Sequence, residues 1–130
     1  MRETFEVEEL IDMLEDCFEM GKKMKSLEKP VKYDFTEEMP TKLRSWRGIY
    51  SQLTLDYGGK KELLLKDLLK DLKTCTNGKV YRGYKGGDFR MNSDTPVWAD
   101  AYGSYNERMI IGVENTPDFI VLKTLIREDK

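Results

Sequence analysis

Residues 118–127 read Asp118-Phe119-Ile120-Val121-Leu122-Lys123-Thr124-Leu125-Ile126-Arg127. Apolar side chains fall on both faces of this segment, which predicts a central strand. Directly before it, Asn115-Thr116-Pro117-Asp118 has turn chemistry. The turn joins the strand to an earlier candidate at 108–114, and the two are expected to form a hairpin. Further back, 96–102 and 79–84 read as two more strands. Asn77-Gly78 supplies a left-handed cap for a helix that opens after Gly58-Gly59 and covers about 60–75. Leu64, Leu65, Leu68, Leu72 and Cys75 form its apolar stripe.

Before that helix, residues 43–50, Leu-Arg-Ser-Trp-Arg-Gly-Ile-Tyr, read as a strand. Alternation places Arg47 on a face shared with Leu43 and Ile49. Residues 26–41, bounded by Pro30 and Pro40, read as a connecting segment. Residues 6–25 carry Val7, Leu10, Ile11, Leu14, Cys17, Phe18, Gly21 and Met24 at helical spacing. Their opposite face is acidic, and Lys22, Lys23 and Lys25 at the far end suit the helix dipole. The predicted fold is therefore α+β: a mainly antiparallel sheet of about five strands with two helices, one of them long and N-terminal. Short connections favour the antiparallel pairing.

With 130 residues, 39% hydrophobic and 35% charged, the chain has room for a single domain spanning 1–130. Within it, 1–40 is the acidic helix and connector, and 41–130 holds the sheet. No apolar run approaches the roughly 20 residues of a membrane span. The acidic start lacks the order of a signal peptide, so a cytoplasmic location is expected. Cys17 and Cys75 fall inside buried helical patterns and are read as two thiols.

The sequence contains no histidine. That removes the commonest general base and zinc ligand, and it points to binding over catalysis. Neither a cofactor nor a metal is expected. Charge is unevenly spread: residues 1–40 carry 12 acidic and 6 basic residues (−6), and 41–130 carry 12 and 16 (+4). A modest basic surface suits a small anion better than long nucleic acid.

Three segments carry candidate chemistry. In Gly83-Tyr84-Lys85-Gly86-Gly87-Asp88-Phe89-Arg90, glycine backbone N–H groups can converge on an anion. Lys85 and Arg90 add charge there, and Phe89 offers a stacking face; Gly86 and Gly87 belong to the same candidate set. The bland alternative is a glycine-rich hairpin with surface charges. In Ser45-Trp46-Arg47-Gly48, Arg47 is placed to fork onto a phosphate beside Trp46, or else to reach solvent past a core Trp. In Thr95-Pro96-Val97-Trp98-Ala99-Asp100, Asp100 either bonds a ligand hydroxyl or pairs with Arg47 or Arg82. The carboxylates Asp88, Asp94 and Asp100 have no spacing that fixes a metal or an acid–base pair.

Taken in order, Ser-Trp-Arg-Gly (45–48), Gly-Tyr-Lys-Gly-Gly-Asp-Phe-x-Met (83–91) and Thr-Pro-Val-Trp (95–98) with Tyr102-Gly103 resemble a family of small, mostly uncharacterised bacteriophage and prophage proteins. The resemblance covers roughly 43–122. It implies a counter-defence factor in a host cell. Such a factor would either sequester an anionic nucleotide-type immune signal, often as a homo-oligomer with sites between subunits, or cover a host defence protein. The acidic first helix suits the second alternative.

Overall fold

A computed structural model describes residues 3–19, 27–101 and 106–127. Nine strands and two helices lie among them. These are α1 (Val7–Glu19), β1 (Pro30–Tyr33), β2 (Met39–Ser45), β3 (Leu53–Gly59), β4 (Leu63–Leu64), α2 (Leu65–Thr74), β5 (Val80–Arg82), β6 (Asp88–Arg90), β7 (Val97–Trp98), β8 (Arg108–Asn115) and β9 (Ile120–Ile126).

The expected five-stranded, mainly antiparallel sheet is replaced by a seven-stranded mixed one, in the order β2-β3-β7-β8-β9-β1-β4. A separate two-stranded hairpin, β5-β6, lies outside it. β8 and β9 pair antiparallel as the turn chemistry predicts, and β9 sits between β8 and β1. Two pairings are parallel: β1 with β9 (Val31↔Ile120) and β3 with β7 (Leu53↔Val97). Both join strands far apart in sequence, as parallel pairing requires a long crossover. β2 also packs beside β1 and β4, so the sheet curls into a nearly closed barrel.

Several boundaries move for identifiable reasons. Gly58 has φ 110° and Gly59 is the last residue of β3, so the glycine pair ends a strand instead of opening a helix. α2 begins only at Leu65, because Leu63 and Leu64 are taken into pairing with Val31 and Pro30. Its end is as expected, with Gly78 at φ 82°. β1 and the start of β2 lie within residues 26–41, so the expected connector contributes to the sheet. The expected strand at 96–102 shortens to Val97–Trp98, because the N-terminal segment takes over its neighbour's bonds. Phe5 donates its N–H to Ile110 O at 2.9 Å and accepts from Val97 N at 2.9 Å. The second half of the expected first helix, Met20–Lys25, and Tyr102-Gly103 lie outside the described residues.

Burial follows the apolar stripes. Val7, Leu10, Leu14 and Cys17 of α1 meet Leu65, Leu68, Leu72 and Cys75 of the second helix segment in one core with Val31, Tyr33, Leu53, Leu55, Ile120 and Leu122. Both cysteines are free and buried. Burial pushes the Cys75 thiol up to about 11. No described helix is long and apolar enough to cross a membrane.

Candidate functional site

The strand expected over 43–50 stops at Ser45, and Trp46–Gln52 turns back into β3. Trp46 N–H donates to Gln52 O at 2.7 Å, and Ser45 Oγ donates to Tyr50 O at 2.6 Å. Gly48 lies inside this turn. Arg47 is therefore not on a strand face. It is exposed, with its guanidinium 4.6 Å from the centre of the Tyr84 ring.

This turn brings the three sequence segments together. On one side the Trp46 and Trp98 rings stack at 4.1 Å and 14°, forming with Met109 a small cluster apart from the main core. On the other, Arg47 lies over Tyr84, and Tyr50 meets Phe89 edge-on at 6.0 Å. Gly83 is the contact that requires glycine. A Cβ there would stand 2.6 Å from Gly86 O and 2.9 Å from both the Tyr50 and Phe89 rings. Gly86 and Gly87 have φ 104° and 87° and close the hairpin through Gly83 N–H to Gly87 O at 2.9 Å. Lys85 and Arg90 are exposed on the same hairpin.

Asp100 joins neither Arg47 nor Arg82 in any described pair. It is fully buried, and its Oδ2 accepts from Trp46 Nε1 at 2.6 Å and from Asn106 N at 3.2 Å. Its Oδ1 has no hydrogen-bond partner among the described residues. The nearby carboxylate and, more strongly, burial raise the Tyr57 phenol above its ordinary range. Asp88 pairs with Arg82 at 3.4 Å, and Asp94 takes part in a turn with Asn92. The three carboxylates are thus dispersed, and no metal-ligating cluster occurs among the described residues.

The basic site that sequence reading missed runs between β2 and β5. A groove of about 260 Å³ is lined by Lys42, Leu43, Arg44 and Ser45 on one wall and by Lys79, Val80, Tyr81 and Arg82 on the other. Its size falls just below the roughly 300–1,000 Å³ typical of small-molecule sites. Arg44 Nε donates to Asp56 Oδ2 at 2.7 Å, and Asp56 Oδ1 accepts Tyr57 N–H at 2.9 Å. Asp71 stands 3.9 Å from Lys79 while its other oxygen accepts Leu43 N–H at 3.2 Å. These two carboxylates hold backbone as well as cations, and so fix the groove's walls. Tyr81 lies beneath Lys79, whose ammonium is 4.9 Å from its ring centre. Burial holds its phenol well above the ordinary range. The sequence signal for this groove is the basic balance of residues 41–130, with Arg44 and Arg82 near the glycine-rich turns; no local pattern links the cations at 42, 44, 79 and 82. Comparison with known proteins finds no matching family model, no matching curated protein and no matching solved structure.

Proposed function

We propose that the protein binds a small anionic, nucleotide-type ligand in the groove between β2 and the 79–90 hairpin. The observation that carries this reading is the gathering of Lys42, Arg44, Lys79 and Arg82 around one groove. Two residues beyond Arg82 on the hairpin, Tyr84 carries the Arg47 guanidinium over its ring. Guanidinium groups fork onto phosphate oxygens, and charge-assisted bonds of that kind are the stronger class. An aromatic face beside them suits a base. With the phage-family resemblance, it supports the reading of a counter-defence factor that sequesters a nucleotide signal without turning it over, in the cytoplasm of the host.

The test is native mass spectrometry of the purified protein after incubation with a small-molecule extract of phage-infected, defence-carrying cells. The reading expects a retained adduct of a few hundred daltons, and the same spectrum gives the subunit count. A second reading, inhibition of a host protein, draws on α1, where Glu8, Glu9, Asp12 and Asp16 are exposed around a partly exposed Met13. No adduct from the extract, with a host protein retained instead, would favour it.

A further inference from the structure

The 79–90 hairpin has two unlike faces. Val80 pairs with Arg90 and Arg82 with Asp88, so these four side chains share one face, and all four are exposed. Tyr81 and Phe89 pair on the other face and pack against the core. Val80 is 43% exposed and sits next to both arginines of the outer face. Arg90 and Lys85 have no carboxylate partner among the described residues, and the Arg82–Asp88 pair at 3.4 Å is open to water on both sides. With Lys79, residues 79–90 carry four cations and one carboxylate.

α1 carries the complementary charge. Residues 7–19 hold six carboxylates and no cation. Glu8, Asp12 and Asp16 recur at every fourth residue, so they line one exposed side of the helix. Met13 is 36% exposed and lies beside Glu9 and Asp16 on that side. Lys73 meets Glu15, whereas Glu8, Asp12 and Asp16 have no ion pair among the described residues. The crowding reaches Glu6, whose carboxyl is raised by burial and then by Asp94, Glu9 and Glu8. Each face thus has one open apolar side chain with charge mainly of one sign around it. An apolar centre with a polar rim is the anatomy of a protein interface.

We infer that the outer face of the hairpin docks α1 of a second copy of this chain. Met13 of one copy covers Val80 of the other, and Asp12 and Asp16 meet Arg90 and Lys85. Opposite charge sets the register and keeps like faces apart. The two faces differ, so the contact is heterologous, and two such contacts about a two-fold axis close a dimer. The second copy is the occupant because the charges that complement α1 stand on this same chain. Val80 and Arg82 also line the ligand groove, so the two sites share one border.

The test is light scattering of the purified full chain after size exclusion, over a range of concentrations and without ligand. At low ionic strength the mass should rise with concentration to two chains or more, and high ionic strength should return it to one. Two charge reversals of exposed residues, D12K/D16K and K85E/R90E, touch no groove-lining residue, and circular dichroism checks their fold. Each alone should weaken association at least about tenfold. An equimolar mixture should restore the wild-type mass, because the reversed helix of one meets the reversed hairpin of the other. A wild type that stays at one chain at low ionic strength, or association that both reversals retain, would overturn the inference. A wild type that is single alone but retains a host protein through α1 would also overturn it. None of these failures touches the ligand reading, which the adduct tests separately.

Discussion

Trp46 and Trp98 stack face to face at 4.1 Å, although they come from motifs about fifty residues apart. Each indole N–H has its own partner: Asp100 for Trp46 at 2.6 Å and Gln52 for Trp98 at 2.7 Å. The stack therefore fixes the 46–52 turn against β7, and the turn in turn meets the 83–90 hairpin. Trp98→Ala should destabilise the fold by about 3–5 kcal/mol, the range for deleting a buried Trp. Urea denaturation monitored by far-ultraviolet circular dichroism checks this.

Asp100 separates charge from hydrogen bonding. In Asp100→Asn, the retained carbonyl oxygen still accepts from Trp46, and the new NH2 takes the place of Oδ1, which has no partner among the described residues. With one buried amide donor left unpaired, this variant should cost about 1–3 kcal/mol, less than Asp100→Ala. Asp100→Ala orphans the Trp46 and Asn106 donors and should cost about 1–3 kcal/mol for each buried group left unsatisfied. Equal losses in the two variants would show that the charge itself matters.

Gly83→Ala places a methyl group against backbone and two rings at once. Backbone cannot give way as a flexible side chain does, so the hairpin must shift. We expect a loss of about 1–3 kcal/mol, as for other overpacked sites. Ligand affinity should fall as well, because the hairpin forms one wall of the groove. Thermal denaturation and native mass spectrometry of the adduct read the two effects separately.

Alkaline pH should weaken the fold through Cys75. Its folded thiol holds its proton up to about 11, whereas an exposed thiol loses it near 9. Between those values the folded state binds more protons than the unfolded state, so stability falls as pH rises. Below the unfolded value the contribution is fully present. The denaturation midpoint should drop from pH 9 to 11, and Cys75→Ala should flatten the first part of that drop. The buried tyrosines Tyr33 and Tyr81 act in the same sense at the upper end.

Local patterns in the sequence were enough for the helical stripes from Val7 to Cys17 and from Leu65 to Cys75, the β8–β9 hairpin and the Gly78 cap, because each depends on neighbours within a few residues. The parallel pairs were not legible, since Val31 meets Ile120 and Leu53 meets Val97 only through the tertiary fold. β4 and β7 are two residues each, too short for alternation to register. Gly58-Gly59 carried a plausible helix-start signal that the pairing of Gly59 with Met39 overrides. The motif residues Trp46, Arg47 and Phe89 prove to lie on one connected turn and hairpin. The groove cations of β2 and of residues 79–82 are brought together by chain folding over more than thirty residues, which no spacing rule anticipates.

The central claim is that the β2–β5 groove holds an anionic nucleotide-type ligand. Its most direct test compares native mass spectra of the wild-type protein and the double variant K42E/R82E after the same incubation with extract of phage-infected cells. Both positions are exposed, so the variant should fold. The account predicts a small adduct on the wild type, weakened by added salt and absent from the variant. An adduct retained equally by both proteins would place the ligand elsewhere and contradict the account.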